Sequence, residues 1–346
     1  MQGFRRILLT RLKFIGDIVL TTPIIHSVRN AFPSSFIAYL GDRHAVSLLE
    51  QNPSLNEIIP YDFSRPAVLE QLRVMRILKR GNFDLAIDML NNPRSALLTF
   101  ATGAAVRVGL ERHGRGRLYT VRVRDDGVPK SPIQFHNQFL RAVGIPPTAT
   151  QTEIFLTADE RESALQFLPD GPGPLVGIHP GASWPAKKWN ADRFGALADA
   201  LTARGMRVVI LGGPRDHDTI QQVLEATTSV PHVLPSVTLR HLAALISHCA
   251  CFVCNDAGPM HMAAALGVPT VALFGPGEEN IWFPYDRSLG HIALRKDVPC
   301  HPCHADFCPR KGDGYMECME LLHVREVAAA VHSIVEKTFR HPAMPA

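Results

Sequence analysis

The sequence predicts an α/β fold made of two domains with parallel sheets. The chain has 346 residues, and domains of about 150–180 residues each are the usual division of such a length. Short apolar runs alternate with helical patterns along the whole chain, and turns rich in Gly and Pro join the strand ends to the helix starts. Strands that alternate with helices form parallel sheets with helices on both faces.

The predicted elements follow one another in that alternation. The first half is expected to hold strands at 7–10, 36–40, 85–89 and 106–110, with a helix that begins near 21–23 after a loop through 14–17. The second half is expected to hold helices at 159–167, 190–204, 216–227, 239–248 and 324–339, and strands at 175–179, 207–211, 232–234, 251–255 and 270–274.

A stretch rich in Gly and Pro at 144–174 predicts the domain junction. We therefore expect a first domain at 1–150, a second domain at 151–322, and a C-terminal helix and tail at 323–346.

Ligands of open parallel sheets bind beyond the carboxyl ends of the strands. The turn at 254–261 carries the strongest such signal, because Asp256, Gly258 and His261 separate an apolar strand from an Ala- and Met-rich helix. Free N–H groups and the positive dipole end at such a helix start attract phosphate. Asp256 and His261 could hold hydroxyls or a leaving phosphate. The alternative is an N-cap Asp and a packed His in an ordinary turn.

Two further loops carry candidate residues. Asp17 follows the first strand, where a carboxylate can accept a proton from an acceptor hydroxyl. Its alternative role is that of a first-turn helix charge. Lys188 follows another strand and can neutralise a phosphate as a point charge. The alternative there is an exposed lysine pair, Lys187 and Lys188, beside a buried Trp189.

The charge is distributed unevenly along the chain. Residues 1–150 hold 20 Lys and Arg against 11 Asp and Glu, whereas residues 151–346 hold 16 against 21. A basic first half predicts an anionic partner, either a lipid surface or a phosphorylated acceptor, although a solvated helix face would also account for the arginines at 73–80. The first half has few aromatic residues and no recognised nucleic-acid module, so no nucleic-acid partner is expected.

No apolar run reaches the roughly 18 residues that a membrane helix needs. Charged residues interrupt the apolar N-terminal stretch at 7–20, which therefore does not match a signal peptide. We expect a cytoplasmic protein.

The cysteines fall into two groups. Cys249, Cys251 and Cys254 lie in or beside a predicted strand and are expected to be small buried hydrophobic residues. The second group has the spacing of a metal site and comprises Cys300, Cys303, Cys308 and Cys318. A structural zinc or other metal, reduced thiols and a disulfide are the alternatives for these four.

The motifs taken in order resemble glycosyltransferase family 9, the ADP-heptose lipopolysaccharide heptosyltransferases. The resemblance covers nearly the whole chain and rests on four motifs: Lys13-x-x-Gly16-Asp17, His179-Pro180-Gly181-Ala182 with Lys188-Trp189, Gly212-Gly213-Pro214-x-Asp216, and Asn255-Asp256-Ala257-Gly258-Pro259-x-His261. It implies a GT-B fold, in which two Rossmann-like domains face each other across a cleft and the C-terminal helix at 324–339 can cross back to the first domain. The first domain of that family binds the acceptor and the second binds the nucleotide sugar.

The resemblance also implies roles for individual residues. Asp17 takes the role of the catalytic base. The implied donor-binding residues are Lys188 (over Lys187), Ser183, Asp216, Asp256, Ala257, Gly258 and His261. Asp218 is a rival to Asp216 for the ribose. The expected acceptor-binding residues are Lys13, Gly16, Arg115 and Arg117. Ala257 stands where the family often has Thr or Ser, so one hydroxyl is missing but the backbone N–H remains.

The expected function is therefore inverting, metal-independent transfer of heptose from ADP-heptose to a lipopolysaccharide inner-core acceptor. No cofactor is expected for catalysis. The partners would be the nucleotide sugar and an anionic glycolipid, with peripheral contact at the inner membrane leaflet. The alternatives are a transferase that uses another nucleotide sugar and a non-catalytic nucleotide-sugar-binding protein, although the latter has no need of Asp17. An epimerase-like enzyme would need a second acid/base pair that the sequence does not show.

Overall fold

The computed structural model describes residues 3–112 and 114–340, so the last six residues of the predicted tail, 341–346, lie outside the described part. The chain divides into two compact units, Met1–Phe155 and Leu156–Ala346. The boundary falls inside the Gly- and Pro-rich stretch at 144–174.

The first unit contains one parallel sheet of six strands in the order β3-β2-β1-β4-β5-β6. The strands are β1 (Arg6–Thr10), β2 (Phe36–Asp42), β3 (Glu57–Tyr61), β4 (Leu85–Asp88), β5 (Val106–Leu110) and β6 (Val121–Val123). The helices are α1 (Ile15–Val19), α2 (Thr22–Ala31), α3 (Ala67–Arg80), α4 (Pro93–Ala101) and α5 (Pro132–Arg141).

Helices cover both faces of this sheet. Ile24 and Val28 of α2 and Phe139 of α5 share a buried cluster with one face. Val74 of α3 and Leu98 of α4 share a second cluster with the opposite face. Because both faces are buried, the central strands are apolar along their whole length, as the fully buried Ile-Leu-Leu run of β1 shows.

The second unit repeats the plan with the strand order β12-β11-β10-β7-β8-β9. Its strands are β7 (Leu175–His179), β8 (Arg207–Ile210), β9 (His232–Val233), β10 (Cys251–Asn255), β11 (Thr270–Leu273) and β12 (Ile292–Leu294). Its helices are α6 (Ala158–Leu165), α7 (Ala191–Thr202), α8 (His217–Glu225), α9 (Leu239–Ile246), α10 (Gly258–Ala265), α11 (Glu279–Trp282), α12 (Glu317–Glu320) and α13 (Val324–Arg340).

The C-terminal helix α13 belongs to the second unit. Val327 and Val331 are fully buried in the same cluster as Phe194 and Leu197 of α7. The amphipathic helix expected at 324–339 is therefore confirmed. Cys251 and Cys254 are fully buried and Cys249 is nearly so, as expected. In the described ranges, every helix is too short or too polar to cross a bilayer.

Both sheets reverse their strand order at one point, and the reversal decides where a ligand can bind. The order turns back between β1 and β4 in the first unit, and between β7 and β10 in the second. In open parallel sheets the crevice for a ligand lies outside the carboxyl ends of the strands at such a reversal. Ligands are therefore expected at the loops after β1, β4, β7 and β10.

Candidate functional site

The loops after β7 and β10 are joined by Asn255, the last residue of β10. Its side chain is fully buried. The Nδ2 group donates to the carbonyl oxygen of Pro180 at 2.8 Å, and Oδ1 accepts from the backbone N–H of Trp189 at 3.1 Å. Since buried amides are costly to leave unpaired, these bonds hold both ends of the 180–189 loop against β10.

Beyond Asn255, Asp256 forms an ion pair with Lys187 at the start of α10. The Lys187 Nζ lies 2.5 Å from Asp256 Oδ2 and 4.6 Å from the centre of the Trp184 ring. Asp256 is only 6% exposed. Ala257 precedes the helix in extended conformation and offers no side-chain cap. Pro259 has no N–H and the N–H of Met260 bonds to Ala257, so the N–H of Gly258 and the positive end of the helix dipole are what α10 offers beside the fixed ammonium group. A helix start beside a cation is an arrangement that binds phosphate.

Lys188, the expected phosphate ligand, lies elsewhere. Its Nζ is 3.1 Å from Thr219 Oγ1 on α8. It lines an open cavity of about 550 Å³ together with Asp218 and Gln222. The structure thus brings Lys187 to the acidic turn and directs Lys188 to α8. The resemblance to the family favours Lys188 because that residue stands directly before Trp189.

Asp216 braces the loop after β8. Its Oδ2 accepts from the N–H of Gly213 at 2.8 Å and lies 3.4 Å from His179 Nε2. Burial alone would raise the pKa of this carboxyl, but hydrogen bonding and charge from His179, with smaller help from Gly213 and Lys188, lower it overall. A Cβ atom at Gly181 would lie 2.0 Å from Asp216 Oδ1, so only glycine fits there. Asp216 is occupied with these internal contacts, whereas its rival Asp218 is exposed.

His261 is buried on α10. Its Nδ1 lies 2.6 Å from the hydroxyl of Tyr285. Burial first, and then the charge of Lys187, lower the pKa of His261 to about 3. The imidazole is therefore neutral at physiological pH. It can orient Tyr285 but does not add positive charge to the turn.

This burial predicts a pH dependence of stability. The unfolded imidazole gains a proton below about pH 6.5, but folded His261 stays neutral down to about pH 3. The unfolded state therefore binds more protons, and the free energy of unfolding falls as the pH decreases through this window. The slope is about 1.4 kcal/mol per pH unit for one group. Burial first, and then the charge of Arg11, also lower the pKa of His136 to about 3. His136 therefore adds a second contribution of the same kind.

Urea unfolding between pH 6.5 and pH 5 measures the slope. His261→Gln should reduce this slope by about 1.4 kcal/mol per pH unit, and His136→Gln should reduce it by the same amount. An unreduced slope in both variants would mean that these imidazoles titrate in the folded protein as they do in the unfolded chain.

The first unit places Asp17 at the point where its own strand order reverses. Asp17 lies on α1, with its side chain 15% exposed. Oδ1 pairs with the guanidinium of Arg11, and Oδ2 accepts from the N–H of Phe14 at 3.1 Å. Arg11 also donates to the carbonyl oxygen of Met89, directly after β4, at 2.7 Å. Arg11 therefore bridges the loops after β1 and β4 and fixes the Asp17 carboxylate between them.

The other expected acceptor residues surround the same edge of the sheet. The Lys13 Nζ lies 4.0 Å from the centre of the Phe63 ring, and Gly16 is buried in α1. Arg115 and Arg117 belong to a short 3-10 turn after β5, two strands away from β1. Arg117 is exposed, while Arg115 is half-buried.

The second cysteine group surrounds one small cavity. All four thiols, Cys300, Cys303, Cys308 and Cys318, line a space of about 30 Å³. Burial first, and then the neighbouring thiols, raise the pKa of Cys318 to about 11. Among residues 3–112 and 114–340, no three His, Cys, Asp or Glu side chains are arranged as a metal-binding set. A structural zinc at these thiols stays a prediction.

Several residues of the two sites were not assigned roles from the sequence. Three of them lie close in sequence to a residue that was predicted, namely Arg11, Lys187 and Asn255. The Lys-Lys pair was the available signal for Lys187. Tyr285 had no such signal, because it lies 24 positions from His261. Ser183 is exposed on the loop after β7. Its position is compatible with the predicted donor contact.

Comparisons with known proteins identify the family of this chain. The family model described as "Glycosyltransferase family 9 (heptosyltransferase)" matches residues 71–312, more than half of the chain. Lipopolysaccharide heptosyltransferase 3 of Escherichia coli is 27% identical over 292 residues, which are 80% of this chain and 86% of the relative.

Solved structures show the same architecture. A glycosyl transferase family 9 protein from Veillonella parvula superimposes with a TM-score of 0.85 at 26% identity, over 97% of this chain and 98% of the other. The E. coli ADP-heptose lps heptosyltransferase II gives a TM-score of 0.80 at 23% identity, over 96% and 99%. The predicted GT-B fold with two Rossmann-like domains is thereby confirmed, and the chain belongs to glycosyltransferase family 9, the heptosyltransferase family.

Proposed function

We propose that this glycosyltransferase moves a heptose from ADP-heptose to a lipopolysaccharide inner-core acceptor, with inversion at the anomeric carbon. The arrangement that carries the proposal is the Lys187–Asp256 pair at the start of α10. Relatives named for lipopolysaccharide heptose transfer support the acceptor class, and the solved E. coli protein named for ADP-heptose supports the donor.

In the proposed reaction, Asp17 accepts the proton of the acceptor hydroxyl. The hydroxyl oxygen forms a bond to the anomeric carbon of the donor while the bond from that carbon to the β-phosphate oxygen breaks. ADP leaves with the electron pair of that bond. Negative charge grows on the β-phosphate as it departs, and a preorganised cation and helix N-terminus at that position stabilise it. Lys187 and the first turn of α10 take this role.

The acidic turn gains a second role from the same geometry. Asp256 holds Lys187 beside α10, so the ammonium group is fixed before the donor binds. Such preorganisation lowers the cost of reorganisation during the reaction. The resemblance to the family supports a further proposed role for Asp256 and His261, which is to contact the donor sugar. The neutral state of His261 suits hydrogen bonding to a hydroxyl rather than charge neutralisation.

We propose that transfer does not depend on a divalent metal, because Lys187 and the α10 N-terminus supply the positive charge that the leaving diphosphate needs. The chain's single Asp-x-Asp sequence is Asp216-His217-Asp218. Asp216 is bonded to Gly213 and lies beside His179. Asp218 instead lines the cavity beside Lys188. The two carboxylates of this Asp-x-Asp sequence therefore lie in different surroundings.

The acceptor side of the proposal rests on charge. The excess of 20 basic over 11 acidic residues in 1–150 suits a phosphorylated or otherwise anionic glycolipid. We propose that the protein works in the cytoplasm and meets this acceptor at the inner leaflet of the membrane. Lys13, Arg115 and Arg117 are the proposed cations for it.

Titration calorimetry with ADP, UDP and GDP tests the donor class first. ADP is expected to bind at least about tenfold more tightly than the other two, and ADP-heptose is expected to support transfer to a lipopolysaccharide core acceptor. Preference for UDP or GDP would keep the enzyme class but overturn the donor. Failure of all three to bind, with or without acceptor present, would favour the non-catalytic alternative.

A further inference from the structure

Helix α3 has an apolar outward side that the described residues, 3–112 and 114–340, leave exposed. Val68, Leu69 and Leu72 are 71%, 65% and 41% exposed. The buried side of the same helix is formed by Val74 and Leu78, which pack on the sheet. With 100° between successive residues, the three exposed positions fall on one side of the helix, opposite the buried pair.

Helix α4 continues this surface. It packs against α3 on the same face of the sheet. Its outward residues Leu97 and Phe100 are 47% and 51% exposed. Because both helices form one layer over one face, their outer sides form one surface. We call it the α3–α4 surface. Single exposed apolar side chains are ordinary, but five large ones on one layer mark an interaction site.

Cations accompany the apolar residues on α3, while the one acid of this helix, Glu70, is buried. Arg76, Lys79 and Arg80 are exposed along the C-terminal half of α3. Arg73, by contrast, is bound to Glu70 at 2.5 Å and to the carbonyl oxygen of Pro60. The Glu70 side chain is fully buried in that contact. The outer side of α3 is therefore positive and apolar.

We propose that the α3–α4 surface docks this protein on an anionic lipid bilayer. Apolar side chains that enter the boundary between headgroups and acyl chains, flanked by Lys and Arg that meet anionic headgroups, are how peripheral helices bind membranes. A protein partner would have to match the positions of both the apolar side chains and the cations. A bilayer requires only that both kinds of residue lie on one surface. The inference rests on the proposed function in one respect, since a glycolipid acceptor resides in such a bilayer.

The surface also adjoins the loop of the proposed base. Arg94, in the first turn of α4, has its guanidinium 5.3 Å from the Phe63 ring centre, and Lys13 lies over the same ring at 4.0 Å. Phe14, next along this loop, is 69% exposed and donates its N–H to Asp17. Docking through α3 and α4 therefore places the segment from the end of β1 to α1, which carries Asp17, close to the membrane, where the sugar head of a lipid-anchored acceptor is found.

Vesicle flotation of the full chain tests the proposal. The probes are vesicles of phosphatidylethanolamine and phosphatidylglycerol in a 3:1 ratio and vesicles of phosphatidylcholine alone. Wild type is expected to float with the anionic vesicles, less so as salt is raised. R76Q/K79Q/R80Q is expected to weaken this partitioning about 100-fold at low salt, since each cation near such a surface contributes about fivefold. L69S/L72S is expected to weaken it at least about tenfold at any salt.

L165S/L289S is the matched control, because Leu165 and Leu289 of the second unit are 53% and 52% exposed. It should float as wild type does. Equal flotation of all variants, or no flotation of wild type at low salt, overturns the proposal. Flotation lost equally in the control points to a nonspecific effect and also overturns it. If flotation behaves as expected but ADP does not bind, the surface stands and the proposed function fails. Full activity of the surface variants on a deacylated, water-soluble acceptor shows that they are folded.

Discussion

Asp17→Asn is expected to lower kcat for heptose transfer about 1,000-fold while ADP binding stays within about twofold of wild type. A positioned general base contributes about 10²–10⁴-fold to such a step. The substitution keeps the size of the side chain and leaves one oxygen that can still accept from Phe14, while its NH2 group replaces the oxygen that pairs with Arg11. Steady-state kinetics with ADP-heptose and calorimetry with ADP together separate the chemical role from a binding role.

Asp125→Asn supplies the control for this experiment. Asp125 is an exposed carboxylate of the same unit that accepts from the N–H of Gly127, and its replacement should leave kcat unchanged. Near-normal turnover of Asp17→Asn would remove Asp17 from the mechanism. If the variant loses activity through KM alone, Asp17 is an acceptor-binding group rather than the base.

Arg11 holds the Asp17 carboxylate in position. One oxygen of the Asp17 carboxylate pairs with Arg11 and the other accepts the N–H of Phe14, so both oxygens are fixed while each keeps a lone pair for a proton. The second contact of Arg11, to the carbonyl oxygen of Met89, fixes the position of the pair. Arg11 touches neither substrate in the proposed reaction, so it is a positioning residue. The sequence motif contains Gly16 and Asp17 but gave no indication that a residue six positions earlier holds the carboxylate.

The alternation of apolar strands and helical patterns was sufficient to predict the architecture. The strands expected at 7–10, 36–40 and 175–179 all lie within or match observed strands. Three strands, β3, β6 and β12, were not predicted. They lie at or near the edges of their sheets, are at most five residues long, and are less buried. A short edge strand lacks the continuous apolar run that makes a central strand recognisable.

The site shows a different limit of sequence reasoning. The turn at 254–261 was recognisable because its Gly and Pro mark a strand-to-helix turn with free N–H groups. Which lysine meets that turn depends on the short 3-10 helix Pro185–Lys187. That turn directs two neighbouring side chains to different places. A match to a family motif cannot resolve a change of direction over one residue, and the resemblance favours Lys188 over Lys187 only because Lys188 directly precedes Trp189.

Lys187→Met is expected to reduce kcat/KM about 100- to 1,000-fold and to weaken ADP binding, whereas Lys188→Met should change either quantity less than about threefold. A preorganised donor aimed at developing charge is worth about 2.7–4 kcal/mol. Only Lys187 lies at the start of α10. The amine of Lys188 is 3.1 Å from Thr219 Oγ1 on α8 instead. The two variants differ by one position and remove the same charge, so each is the control for the other.

The loss of Lys187 also leaves Asp256 without its ion pair at a site that is 6% exposed, and breaking a buried pair is destabilising. Lys187→Arg separates that effect from catalysis, because it retains the cation. It should restore the melting temperature and part of the ADP affinity. If Lys188→Met instead loses more ADP affinity and Lys187→Met binds ADP as wild type does, the phosphate site lies beside α8. The function of the α10 turn would then be to hold the 180–189 loop in place through Asn255 and the Lys187–Asp256 pair.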